Sequence, residues 1–298
     1  MSCPSCQSDD LLALNTYKRS WFLCHACGDA FPQQKDRYSL TFLPDPHLKK
    51  MKEDEASMYD YFIHQDHIDY SIGTAGDFLR QHAEPNRIAF YGKRVLDISG
   101  GNGHFLMEIA KLGAEVTLTE INQPTIDYAK ATHGIDVRLF NFNSHSIQTE
   151  VPKTFDIVMA RAAIMFCQDL AKFAQDTREI LADDGLLIVN HSVIPTLGVM
   201  LRVQLDEFSY FRLRQPESVI RTFEKAGYIL QSRADETDPS LYVYDHDLNR
   251  YWTLARYLHE QPAVRRLVSA ERSGKACYAF RTRDRRRSTM IFRKLPNA

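Results

Sequence analysis

The sequence predicts an α/β fold: an open, Rossmann-like sheet with helices on both faces and a smaller module attached at each end. Three observations predict it. The run Arg94 to Asn122, RVLDISGGNGHFLMEIAKLGAEVTLTEIN, sets a short apolar strand, a glycine-rich turn, a helix, a second strand and a terminal carboxylate in succession. A chain of 298 residues, 44% of them hydrophobic, suits one α/β core plus smaller modules. Four of the six cysteines gather in two pairs near the N-terminus, which marks a separate unit there. No run of about 18 apolar residues is present, so no membrane span is expected. Met1-Ser2-Cys3-Pro4 lacks the basic and apolar regions of a secretory signal, and a cytoplasmic protein is expected.

The first unit, residues 1–43, reads as a zinc ribbon. Cys3-x-x-Cys6 and Cys24-x-x-Cys27 are separated by 17 residues, a spacing that lets four thiolates meet one tetrahedral ion. Leu11, Leu12, Leu14, Tyr17 and Trp21 to Leu23 supply only a small core, so a structural zinc would provide much of the folding free energy. The rivals are a redox dithiol pair and two disulfides; disulfides are disfavoured without a secretion signal. Cys167 and Cys277 stand alone and read as buried small hydrophobes. Residues 44–57, with PDPHLKKMKEDE, read as a charged linker.

The core is expected over residues 58–240. It opens with Tyr59, Tyr61, Phe62, His64, His67 and Tyr70, ahead of a helix carrying Phe78 and Leu79. His64 and His67 at i, i+3 suit a metal on one helix face; an amphipathic helix is the plainer reading. Val95, Leu96 and Ile98 are strand formers around Asp97, and Gly100, Gly101 and Gly103 follow at once. Phe105, Leu106, Ile109, Ala110 and Leu112 recur at helical spacing, and Gly113 is a natural stop. Val116 and Leu118 lie in the next strand, which ends at Glu120, 23 residues after Asp97. A carboxylate there can accept both ribose hydroxyls of an adenosine.

The segment Asp97-x-Ser99-Gly100-Gly101-x-Gly103 resembles motif I, D-x-G-x-G-x-G, of the class I S-adenosylmethionine-dependent methyltransferases. Asp97, Gly101 and Gly103 match, and Ser99 stands where the first glycine is usual. The dinucleotide fingerprint G-x-G-x-x-G has a different spacing. The resemblance runs over roughly residues 58 to 235. It takes in Phe155–Met159 as the fourth strand, LADDGLLIVN (Leu181 to Asn190) as the approach to the fifth, and Tyr210-Phe211 with Pro216–Val219 and Phe223–Tyr228 as a stretch common in enzymes of small molecules and glycan precursors. It implies S-adenosylmethionine as cofactor and a class I sheet. Ser99, Gly100, Gly101 and Gly103 would lie along the methionine end, Glu120 and Ile121 at the ribose, and Asn141 and Asn143 near the adenine amino group. Arg161 opens RAAIMF, which replaces a Glu-His pair seen in many relatives, and also falls in the cofactor site. The segment ahead of motif I would be a lid.

The remainder, residues 241–298, is expected to be a helical insertion at 246–274 followed by a basic hairpin. Residues 265–298 carry 11 Lys/Arg against 2 Asp/Glu, a net of +9, while the whole chain is at −1. Arg281 to Arg287 would form the tip between strands at Cys277–Phe280 and Thr289–Phe292. That tip suits an anionic or phosphate-bearing acceptor or RNA, or is a solvated turn. The sulfonium is already electrophilic, so positioning can carry much of the reaction. His191, expected at the active-site rim, and His145, in the loop after the third strand, are the candidate general bases; each can equally be a loop histidine of no special role. Methyl transfer to an oxygen of a sugar, glycan precursor or secondary metabolite is the first reading. An RNA methyltransferase and a non-catalytic cofactor-binding partner subunit are the alternatives.

Overall fold

The computed structural model describes residues 2–3, 6–15, 20–27, 30–32, 63–192, 214, 216–236, 242–245, 250–253 and 287–296. The expected linker, the aromatic residues Tyr59 to Phe62, Tyr210-Phe211, Cys277–Phe280 and the arginine run up to residue 286 lie outside them.

Near the N-terminus, β1 (Leu11–Asn15), β2 (Ser20–Cys24) and β3 (Ala30–Pro32) form an antiparallel sheet in that order. Leu11 faces Cys24 and Asn15 faces Ser20. This register sets the second CxxC turn beside the start of β1, where the His25 N–H donates to the Asp10 carbonyl at 3.0 Å.

The large sheet has seven strands. The elements from residue 65 on, in chain order, are α1 (Gln65–Phe78), β4 (Arg94–Ile98), α2 (His104–Ala110), β5 (Glu115–Glu120), α3 (Gln123–His133), β6 (Asp136–Leu139), α4 (Ile147–Glu150), β7 (Phe155–Arg161), α5 (Leu170–Ile180), β8 (Leu181–Ser192), α6 (Pro216–Lys225), β9 (Tyr228–Glu236), β10 (Tyr242–Asp245), β11 (Arg250–Thr253) and β12 (Arg287–Lys294), of which β10 and β11, among the described residues, pair only with each other. The strand order is β6-β5-β4-β7-β8-β12-β9. β4 to β8 run parallel, and β12 is antiparallel to both of its neighbours.

Alternating side chains explain why both faces are covered. Ile157, Met159, Ile188 and Ile291 pack on one face with Phe105, Leu106 and Ile109 of α2, Ile126 of α3 and Phe78 of α1. Val158, Ala160, Leu187, Val189, Met290 and Phe292 pack on the other with Leu170 and Phe173 of α5 and Val219 and Phe223 of α6. The expected helices on both faces are therefore present.

The C-terminal expectations change. Thr289–Phe292 lies inside β12, with Thr289 opposite Asn190 on one side and Ala234 on the other. Both of its edges are paired, by β8 and β9; Cys277–Phe280, the other strand of the expected hairpin, lies outside the described residues. The sheet thus continues to Lys294 and does not end near residue 240. Within the stretch expected to be helical, Arg250–Thr253 is β11, paired antiparallel with β10. Its aromatic residues serve a strand as well as a helix, and no 3.6-residue period separates the two over four positions.

Candidate functional site

Strand order reverses between β4 and β7. At such a switch point the loops beyond the carboxyl ends of the strands diverge and leave a crevice. Asp97 near the end of β4 and Arg161 at the end of β7 meet across it: Arg161 Nη2 donates to Asp97 Oδ2 at 2.9 Å. Asp97 is completely buried, and the Arg161 guanidinium carbon sits 3.3 Å from the Phe105 ring centroid. Burial pushes the Asp97 carboxyl above the usual range, while the guanidinium pulls it back. Asp97 Oδ1 and Arg161 Nε have no hydrogen-bond partner among the described residues.

The turn after β4 is tightly specified. Ser99 and Gly101 have φ of 57° and 62°, in the left-handed region. A Cβ on Gly100 would stand 2.2 Å from Leu118 Cδ1 and 2.7 Å from Asp97 Oδ2, so only glycine fits there. Gly103, also left-handed, is the residue from which α2 starts.

Glu120 closes the other side. Its Oε2 accepts the Gly101 N–H at 3.1 Å, and its Oε1 accepts those of Ile121 at 2.7 Å and Asn122 at 3.3 Å. Three backbone donors thus fix one carboxylate against the glycine turn. Burial raises its affinity for a proton, and these donors oppose that. Asn122 then caps α3, its Oδ1 accepting from Thr125 N–H at 2.9 Å.

Asn141 is buried, and its Oδ1 accepts the Asn143 N–H at 2.9 Å. The Asn143 side chain is engaged at both ends: its amide donates to the Phe166 carbonyl at 3.0 Å and its oxygen accepts Gln168 N–H at 2.9 Å. It clamps the turn after β7. His145 accepts Asn141 N–H on Nδ1 at 3.2 Å, so its proton belongs on Nε2. His191 is not at an open rim. It is 1% exposed, with Nε2 at 2.8 Å from the Arg214 carbonyl, and burial pushes it down to about 4. Arg214, which sequence reasoning missed, is itself buried and donates to the carbonyls of Ile164 and Cys167 at 2.9 and 2.7 Å. No local pattern around Arg214 announces those contacts, which lie 47 and more residues away in the chain.

The four sulfurs of Cys3, Cys6, Cys24 and Cys27 converge, all within 4.8 Å of one another. Cys3–Cys27 and Cys6–Cys24 are each 3.6 Å apart, and no disulfide joins them. Four ligands at about 2.3 Å from a tetrahedral zinc would lie about 3.8 Å from each other, so the set fits that ion. His64 and His67 join no cluster of three or more such groups among the described residues.

Residues 96–189 match the family described as a methyltransferase domain. The fold is also similar to that of a protein provisionally assigned as a sarcosine dimethylglycine methyltransferase of Galdieria sulphuraria, with 13% identity, a TM-score of 0.53, and coverage of 81% of this chain and 98% of the other. The match over residues 96–189 and the fold agree on a methyltransferase-type α/β domain. The ubiquinone biosynthesis O-methyltransferase of Schizosaccharomyces pombe, mitochondrial, is 28% identical over 143 residues, 47% of this chain and 51% of that one. The chain thus spans about half the length of that curated relative. Coclaurine N-methyltransferase, solved with N-methylheliamine and S-adenosylhomocysteine, has 13% identity and a TM-score of 0.49 over 74% of this chain and 72% of its own. No described helix of the protein is long and apolar enough to cross a membrane.

Proposed function

We propose that the protein transfers the methyl group of S-adenosylmethionine to an oxygen of a small hydroxylated acceptor, such as a sugar, a glycan precursor or a secondary metabolite. The observation that carries this reading is Glu120, held by three backbone N–H groups at the end of β5 and tied to Gly101 of the glycine turn. An acceptor-only group fixed there suits two ribose hydroxyls. The buried, unpartnered Asp97 Oδ1 suits the ammonium of the methionine moiety, and the Arg161 guanidinium beside it suits the carboxylate. Bound there, the cofactor supplies a sulfonium methyl that needs only an aligned nucleophile. The chain's own work is alignment and exclusion of water. Neither candidate histidine is assigned as the base: His191 is enclosed with Nε2 against Arg214, and His145 has committed Nδ1 to Asn141. Oxygen as the acceptor atom is supported by the O-methyltransferase relative.

The N-terminal cysteines are read as the ligands of one structural zinc, supported by their convergence on a point that a tetrahedral ion fits. Elemental analysis of the purified chain should find one zinc each. A folded, metal-free N-terminus would refute the assignment.

The acceptor class is tested by following S-adenosylhomocysteine release with a panel of phenolic and sugar hydroxyl compounds and with bulk RNA. Turnover with a small hydroxyl compound is expected. Turnover with RNA alone would reverse the reading.

A further inference from the structure

Asn102 occupies the middle of the glycine turn, 2% exposed, and three helices meet at it. Its Oδ1 accepts the N–H of His104, the first residue of α2, at 3.1 Å. Its carbonyl stands 3.0 Å from Nε2 of His133, the last residue of α3. Its Nδ2 stands 3.3 Å from Nδ1 of His67 on α1. These contacts fix the protons. Because Oδ1 is taken by a backbone donor, the group facing His67 is the amide NH₂, and His67 Nδ1 must offer a lone pair. The Ser71 hydroxyl stands 3.4 Å from the same nitrogen. His67 in this arrangement is a neutral imidazole with its proton on Nε2. A protonated ring would set an N–H against the Asn102 NH₂.

The rest of α1 shows why this bond matters. Its C-terminal end is held by apolar packing: Ala75 and Phe78 are buried, and the Phe78 ring lies 5.7 Å from that of Phe105. Its N-terminal half exposes Tyr70 and Ile72. That half reaches the cofactor turn through His67, beside which Ser71 stands.

We propose that His67 and Asn102 form a proton-sensitive latch that holds the N-terminal half of α1 against the cofactor turn, so that acidification loosens α1 and bound S-adenosylmethionine together. His67 is here a positioning residue acting through Asn102. The inference rests on the reading of residues 97–103 as the cofactor turn.

Among the described residues, the groups that act on His67 agree on the sign. Burial, and second to it the positive charge of Arg161 of β7, which pairs with Asp97 of β4, hold His67 below its ordinary value of 6.5. His104 of α2 feels His67, His133 and the opposing Glu108. His133 of α3 is also lowered by burial. A group with a lowered value in the docked state favours docking in full above about pH 6.5 and progressively less as pH falls below it.

Hydrogen exchange of residues 67–74 in the cofactor-free chain reads the latch directly. Protection, corrected for intrinsic rates, should be several-fold lower at pH 5.5 than at pH 7.5 in the wild type, with about tenfold the ceiling for one histidine. It should be low at both pH values in His67→Ala. His67→Asn, whose Oδ1 takes the place of Nδ1 without titrating, should stay protected at both. Wild-type protection in His67→Ala overturns the latch, as does an acid loss in His67→Asn equal to the wild type's. Calorimetry with S-adenosylmethionine then reads the coupling: affinity should fall at least fivefold in His67→Ala at pH 7.5 and recover in His67→Asn. Unchanged affinity in His67→Ala overturns the coupling. No binding by any variant, with the exchange pattern intact, sinks the cofactor reading and leaves the latch standing.

Discussion

Ser99 takes a left-handed φ of 57° where the resembling proteins have glycine. A β-carbon in that conformation costs about 1 kcal/mol or more, so Ser99→Gly is expected to stabilise the fold by up to about 1 kcal/mol, a rise in Tm of roughly 2–4 °C. A fall in Tm would show that the serine contributes more than its strain costs. Arg161 is the counterpart. Replacing it with Met leaves the fully buried Asp97 carboxylate without its cation, a loss of about 3 kcal/mol. With burial unopposed, folded Asp97 holds its proton more tightly than the unfolded chain does. The variant's deficit in urea unfolding is therefore expected to shrink as pH is lowered from 7.5 to 5, and a deficit that grows on acidification would contradict this. Asp97, the glycines and Glu120 were legible because they sit in one unbroken run whose periodicity switches from strand to helix and back. The pairing of Asp97 with Arg161 was not legible: the two are 64 residues apart, and only the strand order makes them neighbours.

The turn after β7 illustrates what element-level reasoning left out. Residues 164–168 are gripped by Arg214 and by Asn143, both through backbone carbonyls or N–H groups. Arg214 lies in no motif and Asn143 was read for the cofactor, not for this turn; side chain to backbone contacts carry no sequence signature on the accepting side. Arg214→Met should leave the Ile164 and Cys167 carbonyls without their donor, while the main-chain carbonyl that faces His191 remains. The expected cost is about 2–3 kcal/mol in denaturant unfolding, with faster proteolysis between residues 162 and 168. An unchanged midpoint would mean the turn holds itself. β12 was legible as a strand but not as a member of the sheet. Its sequence gives apolar alternation, Met290 and Phe292 to one face and Ile291 to the other. What places it between β8 and β9 is the match of those two faces to cores built by residues about a hundred positions earlier.

At the scale of the whole molecule, a cysteine-held module precedes a seven-stranded sheet that carries the site. Burial pushes the Cys24 thiol up to about 11 when no cation is present, so metal uptake must displace its proton. Chelation is expected to unfold residues 3–32 while the large core still binds S-adenosylmethionine; simultaneous loss of both would show that the two units fold as one. The fold class and the cofactor turn were legible because they follow local pattern. The acceptor was not, because it is set by residues that converge from distant parts of the chain. The central claim is that the Asp97–Glu120 turn is an S-adenosylmethionine site, and titration calorimetry of the full chain tests it most directly. Saturable binding of one equivalent is expected, with Glu120→Ala weakening it at least tenfold, about 1.4 kcal/mol. Absence of binding by the wild type, or equal binding by Glu120→Ala, would contradict it.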